Sequence, residues 1–256
     1  MRRDIDEALR GWPYDPDTGE VLAREVRARD GRRLVQVRVE LGLLQMEVEG
    51  RPDGLRPHGF TSFLDYLRHR ATSWAAQHSG AESPWAMSRD HCTEADREFV
   101  QYYHRRVAWL ALQNFESALR DADHTLGLMD FVARHGGDEE YVKSHERLRG
   151  LVLFHRTQAA AALALERRRP DEAIDVVQDG MKQLDRHQRE WSDGDQREDE
   201  IPDPALIEQL RHLEDEIRLN FAVEKTLKEQ LDEAVAREDY ERAARLRDQI
   251  KARARR

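Results

Sequence analysis

A single cysteine, Cys92, stands in a chain of 256 residues. That excludes an internal disulfide and any zinc site built from four thiolates. Aromatic residues make up only 7%, too few for a thick β core. No apolar run is long enough to span a bilayer. The opening Met1-Arg2-Arg3-Asp4-Ile5-Asp6 lacks the apolar centre of a signal peptide, so a reducing, cytoplasmic location is expected. Neither a GxGxxG nor a GxxxxGK[ST] phosphate loop occurs, and HExxH is absent. Asp90-His91-Cys92 with Glu94 has metal-capable groups but no zinc-ligand spacing. Cys92 beside His91 or His104 has no oxyanion-hole partner, so a buried or incidental thiol is expected. No catalytic residue, metal or cofactor is expected, and the chain reads as a non-enzyme.

The formal net charge of −9 argues against a general nucleic-acid coat. Charged residues reach 36% and apolar ones 39%, a mix suited to amphipathic helices. The expected fold is α+β and mostly α. A small N-terminal β-hairpin unit covers 1–60, an antiparallel helical array 61–191, an acidic Pro-containing linker 192–204, and a long helix with a helical hairpin 205–256.

Strand patterns cover 20–29 and 32–48 around Asp30-Gly31, a hairpin turn signal. A two-residue loop there would pair Val26 with Val35 and Leu22 with Val39. Apolar parity switches after Gly42, which a bulge or burial of both faces would explain. A helix is expected from Thr61 or Ser62, with Phe63, Leu64, Leu67, Ala71 and Trp74 on one stripe. Thr93 with Asp96 suggests the cap of a helix running to about Gln113. Gly136-Gly137 ends the next helix, and 138–168 reads as one long helix. His124, His135, His145 and His155 lie along helices, where solvated or capping roles suffice for them.

Three turns share one grammar. Asn114-Phe-Glu-Ser-Ala118, Arg169-Pro-Asp-Glu-Ala173 and Asp239-Tyr-Glu-Arg-Ala243 each set an acidic helix start before an alanine. The middle third resembles tetratricopeptide repeats, although the first two turns lie 55 residues apart rather than about 34. An ordinary antiparallel bundle fits equally well. Leu206, Leu210, Leu213, Ile217, Asn220, Glu224, Leu227, Leu231 and Ala234 form a heptad seam with two polar breaks. A continuous helix through 234 is expected, packed as a coiled coil or within its own chain.

The last stretch puts Leu227, Leu231, Ala234 and Val235 on one helical face. Tyr240, Ala243, Ala244, Arg247 and Ile250 follow on a second helix, with Leu246 beside them. This resembles the UVR motif, a helical hairpin known from excinuclease subunits B and C. The resemblance implies protein docking, with Leu227, Leu231, Ala234, Tyr240, Ala243, Ala244, Leu246, Arg247 and Ile250 binding a partner or a second copy. Excinuclease subunits, Clp-type unfoldases and a kinase regulator are the partners it suggests. The UVR-bearing activator of protein-arginine kinase carries Cys-x-x-Cys modules that this chain cannot build. A hairpin that only caps its own domain is the competing reading. Leu231→Asp is expected to abolish association while leaving helicity intact.

Leu41 to Gly54, with Trp12 to Pro16, resembles the N-terminal region of bacterial proteins that also end in a UVR motif. That group is defined by sequence pattern and implies no activity. Gln45, Glu47, Arg51 and Asp53 are a possible secondary site there, as a partner groove or an unrecognised enzyme site; a well-formed turn that only sets the fold is the favoured reading. A DNA-repair accessory that contacts excinuclease subunits, or nucleic acid through the arginines of 24–38 or the Arg-rich C-terminus, is the remaining alternative, its nucleic-acid contact opposed by the net charge. No membrane partner is expected.

Overall fold

A computed structural model describes residues 5–78, 85–192 and 205–254. The chain forms two compact units, 1–156 and 157–256. The expected linker at 192–204 and the last two arginines fall largely outside the described residues.

The first unit opens with helix α1 (Asp6–Leu9) and an antiparallel sheet of β1 (Ala23–Arg27), β2 (Arg33–Val39) and β3 (Gly42–Glu47) in the order β1-β2-β3. The register corrects the expected pairing by one residue: Val26 faces Leu34 and Glu25 faces Val35. The cause is the turn. Gly31 N–H bonds to the Ala28 carbonyl at 2.9 Å and Ala28 N–H to Arg32 at 2.8 Å. Gly31 takes φ +88°. A three-residue loop with a left-handed glycine replaces the two-residue one.

The parity switch at Gly42 is not a bulge. Glu40-Leu41 is a second tight turn, and Val39 pairs with Gly42. What reads as one long strand is a hairpin. Val35, Val37 and Met46 are buried on one face. On the other, Arg24 donates to Gln36 at 2.8 Å and Gln36 to Gln45 at 2.9 Å. The Arg24 guanidinium lies 3.9 Å above the Trp12 ring.

Helices α2 (Phe63–Gln77), α3 (Arg89–Ala111), α4 (Phe115–His135), α5 (Glu139–Glu146) and α6 (Arg149–Glu166) follow. Ser62 caps α2 as expected, accepting from Asp65 N–H. Ser88, not Thr93, caps α3, in a reciprocal box with His91. Thr93 lies inside the helix and donates back to the Arg89 carbonyl. The expected helix 138–168 is broken at Arg147-Leu148 into α5 and α6. The core packs Phe63, Leu64 and Leu67 against Phe99, Leu128, Met129, Phe131 and Val132.

The second unit begins within α6 and holds α7 (Pro170–Ser192), α8 (Ala205–Phe221), α9 (Leu227–Ala236) and α10 (Tyr240–Ala254). Gly180 lets α7 approach α6 closely: a Cβ there would meet the Thr157 side chain at 2.3 Å. The heptad seam is not one helix. Ala222 turns left-handed at φ 52° and separates α8 from α9. Leu206, Leu210 and Ile217 are buried, on a helix whose principal neighbour is α7.

The three turns of shared grammar have one geometry. Gln113, Arg168 and Glu238 adopt φ of 55°, 57° and 58°. Asn114, Arg169 and Asp239 each return their N–H five residues back, to Trp109, Ala164 and Ala234, all at 2.9 Å. This is the Schellman closure, and the same residue then opens the next helix. The Asn114 and Asp239 side chains accept from the N–H three residues on. Ala118, Ala173 and Ala243 are buried against the preceding helix, as the grammar requires.

Candidate protein-interaction site

Hairpin α9–α10 has a closed seam and an open outer face. Ala234, Ala243 and Leu246 are buried together, with Leu227 and Leu231 packed on them. These five expected docking residues therefore hold the hairpin shut. Ala244 and Ile250 are half-buried. Tyr240 and Arg247 are exposed, Tyr240 at 68%, and Val235 on α9 is 50% exposed. The expectation for Leu231→Asp changes accordingly: a carboxylate there faces the hairpin's own seam and would disturb the fold.

Polar groups that the sequence reading missed tie the start of α9 to α7 and α8. Thr226 is fully buried. It accepts from Glu229 N–H, closes a capping box with Glu229, and donates to Asp175 at 2.8 Å. Burial pushes the Asp175 carboxyl above its ordinary range. Gln178 donates to Glu229 at 2.8 Å and to Glu214 at 2.9 Å, and Arg218 pairs with both carboxylates. Lys228 meets Asp179 at 2.8 Å, a bond that raises its ammonium above the usual lysine range. A Thr-x-x-Glu spacing at 226–229 was the available signal. Its partners 50 residues upstream carried none.

Residues 225–252 match the family model for the UvrB/uvrC motif. The match spans α9, the turn and α10. No curated protein and no solved structure matches the chain.

The UVR hairpin can be compared with the two other hairpins built on the same turn. The residue after the turn is half-buried in those, as Phe115 and Pro170, and exposed in the UVR hairpin, as Tyr240. Seven residues further on stand Ala122 and Val177, both fully buried, and then exposed Arg247. On the preceding helix, half-buried Leu110 and Leu165 correspond to exposed Val235. A face that packing covers twice is open the third time.

The possible secondary site comes together only in part: Arg51 and Asp53 meet, while Gln45 and Glu47 are engaged elsewhere. Gln45 ends the Arg24-Gln36 ladder, and Glu47 pairs with Arg32. Arg51 turns inward: it is 2% exposed and meets Glu94 at 2.6 Å and Asp53 at 3.3 Å. Gln101 bridges it to Asp53, accepting from Arg51 at 3.2 Å and donating to the carboxylate at 2.9 Å. Nearby Glu98, fully buried, accepts from Phe63 N–H at 2.6 Å and Leu64 N–H at 3.0 Å. It thereby closes the start of α2. His124 reaches Glu98 at 2.9 Å and stacks on Tyr102 at 3.8 Å.

Of the four helical histidines singled out in the sequence, none is fully exposed: His124, His135 and His155 are half-buried. His145 is buried. His155 lies beside Arg106 at 3.3 Å, and burial with that cation lowers its pKa to about 4. Burial also pushes the Cys92 thiol up, the opposite of what a nucleophile requires. Among the described residues there is no metal-capable cluster of His, Cys, Asp and Glu and no helix long and apolar enough to cross a membrane.

Proposed function

We propose that this chain is a non-enzymatic cytoplasmic adaptor that docks a protein through the outer face of its UVR hairpin. The observation carrying this reading is the open face of Tyr240, Val235 and Arg247, whose equivalents in two hairpins of the same geometry are buried or half-buried. Tyrosine and arginine side chains are enriched among residues that dominate binding energy. Small hairpins bury little area alone, so an uncovered apolar edge is a place for a partner. The occupant is another UVR-type hairpin, on a second copy or on a partner protein, as the family resemblance implies.

A nucleic-acid accessory role has less support. Arg24 is spent on Trp12, Gln36 and the Ala8 carbonyl. Arg38 bonds the Trp12 and Gly42 carbonyls. Arg32 and Arg33 pair with Asp30 and Glu25. Arginines engaged in this way are poorly placed to grip phosphates.

The test is sedimentation of the full chain, with and without UVR-bearing proteins from the same cell, for wild type, Tyr240→Ala and Val235→Asp. Association lost in both variants, with unchanged circular dichroism, supports the adaptor. Association that survives both, or none in wild type with any UVR protein, rejects it.

A further inference from the structure

Helices α2 and α4 enclose a second kind of site in the first unit. Arg68, Ala71 and Thr72 from α2 and Gly127, Asp130, Phe131, Arg134 and His135 from α4 line a cleft of about 230 Å³. In a chain with 51 acidic against 42 basic residues, two arginines from facing helices line one small space. Neither the Arg68 nor the Arg134 guanidinium makes a hydrogen bond or an ion pair with the described residues. The one carboxylate in the cleft, Asp130, is held by Arg149 at 3.0 Å. The Thr72 hydroxyl donates to the Arg68 carbonyl at 2.8 Å, so the arginines supply the donors.

Gly127 lets Arg68 approach α4 closely. It sits in the middle of α4, where glycine costs about 1 kcal/mol relative to alanine. A Cβ there would come within 3.0 Å of Arg68 Nη2 and 3.4 Å of Leu64 Cδ2. The glycine therefore lets the Arg68 guanidinium lie close to the α4 backbone at the rim of the cleft, where Arg68 and Arg134 both stay exposed to solvent. Phe131 and Ala71 give that cleft an apolar flank.

We infer that this cleft binds a phosphate group, bridged by Arg68 and Arg134. Paired guanidiniums match the oxygens of a tetrahedral dianion through parallel N–H bonds. The volume is large enough for a phosphate. Free phosphate and a phosphomonoester offer the same chemistry.

Calorimetric titration of the full chain at low ionic strength, with inorganic phosphate and separately with ribose 5-phosphate, tests this. Saturable binding of either, weakened at least fivefold by Arg68→Met and by Arg134→Met and unchanged by Arg70→Met outside the cleft, supports the site. A tighter constant for the ester than for the ion assigns the source as a phosphomonoester, and equal constants assign the free ion. Gly127→Ala separates this from a packing role: it favours the helix but obstructs Arg68, so binding falls at least threefold while the melting temperature does not. Absence of saturable binding overturns the inference. So does binding that none of the three cleft variants changes, which would make phosphate an adventitious ion only.

Discussion

The Arg105 guanidinium grips the Asp121 carboxylate through two bonds, 2.7 and 2.8 Å, with neither side chain exposed to solvent. Arg105 also donates to the Glu47 and Gly50 carbonyls at 2.9 and 2.8 Å. One side chain on α3 thus holds α4 on one side and the end of β3 on the other. Removing one partner leaves a buried charge uncompensated, at about 3–5 kcal/mol. Asp121→Leu should lower unfolding stability by that order in urea titrations. The double variant Arg105→Met, Asp121→Leu should lose less than the two single losses added together, because no orphan charge remains.

His155 gives the first unit an acid sensitivity. Its folded pKa, about 4, lies below the ordinary 6.5 because of burial and the neighbouring Arg106. The unfolded chain therefore takes up the proton first. The contribution is complete above pH 6.5, is lost as pH falls towards 4, and is at most about 3 kcal/mol. His155→Gln should flatten the pH dependence of chemical denaturation across that window relative to wild type. Parallel curves for the two proteins would contradict this.

The shared turn carries three non-glycine residues in left-handed backbone: Gln113, Arg168 and Glu238. Glycine adopts that region without a Cβ penalty, which costs an L residue about 1 kcal/mol. Exchanging each for glycine should stabilise its own hairpin, by about 0.5 kcal/mol after the extra freedom of the unfolded chain is deducted. Glu238→Gly should raise the stability of the UVR hairpin, read as slower amide exchange across 227–250, without altering docking.

The two faces of the UVR hairpin should respond differently to substitution. Tyr240→Ala acts at an exposed position and should shift stability by less than about 0.5 kcal/mol while reducing partner binding about tenfold or more. Ala243→Leu overfills the buried seam and should cost about 1–3 kcal/mol. Its loss of binding should track loss of helical structure by circular dichroism. Equal effects of the two variants on folding would contradict the division into seam and docking face.

Local hydrogen-bonding needs were legible along the chain. Ser62 and Asn114 announce helix starts, Gly136-Gly137 a helix stop, and the three acidic-start alanines a close helix pair, because each requirement is met within five residues of sequence. The UVR hairpin belongs to this class, since its alanine seam and turn are both local. Other features needed the folded chain. The β1–β2 register was set by whether Gly31 opened a two- or three-residue loop, and the second hairpin by a turn, Glu40-Leu41, that lacks any glycine or asparagine. Arg51, Glu98, Arg105 and Asp121 carry no sequence signal of burial because their partners lie up to 58 residues away, and only packing converts them into a buried network. The same holds for docking. The residue types at 227–250 defined a helical hairpin, but which of its apolar groups close the seam and which remain open was decided by where α10 lies on α9.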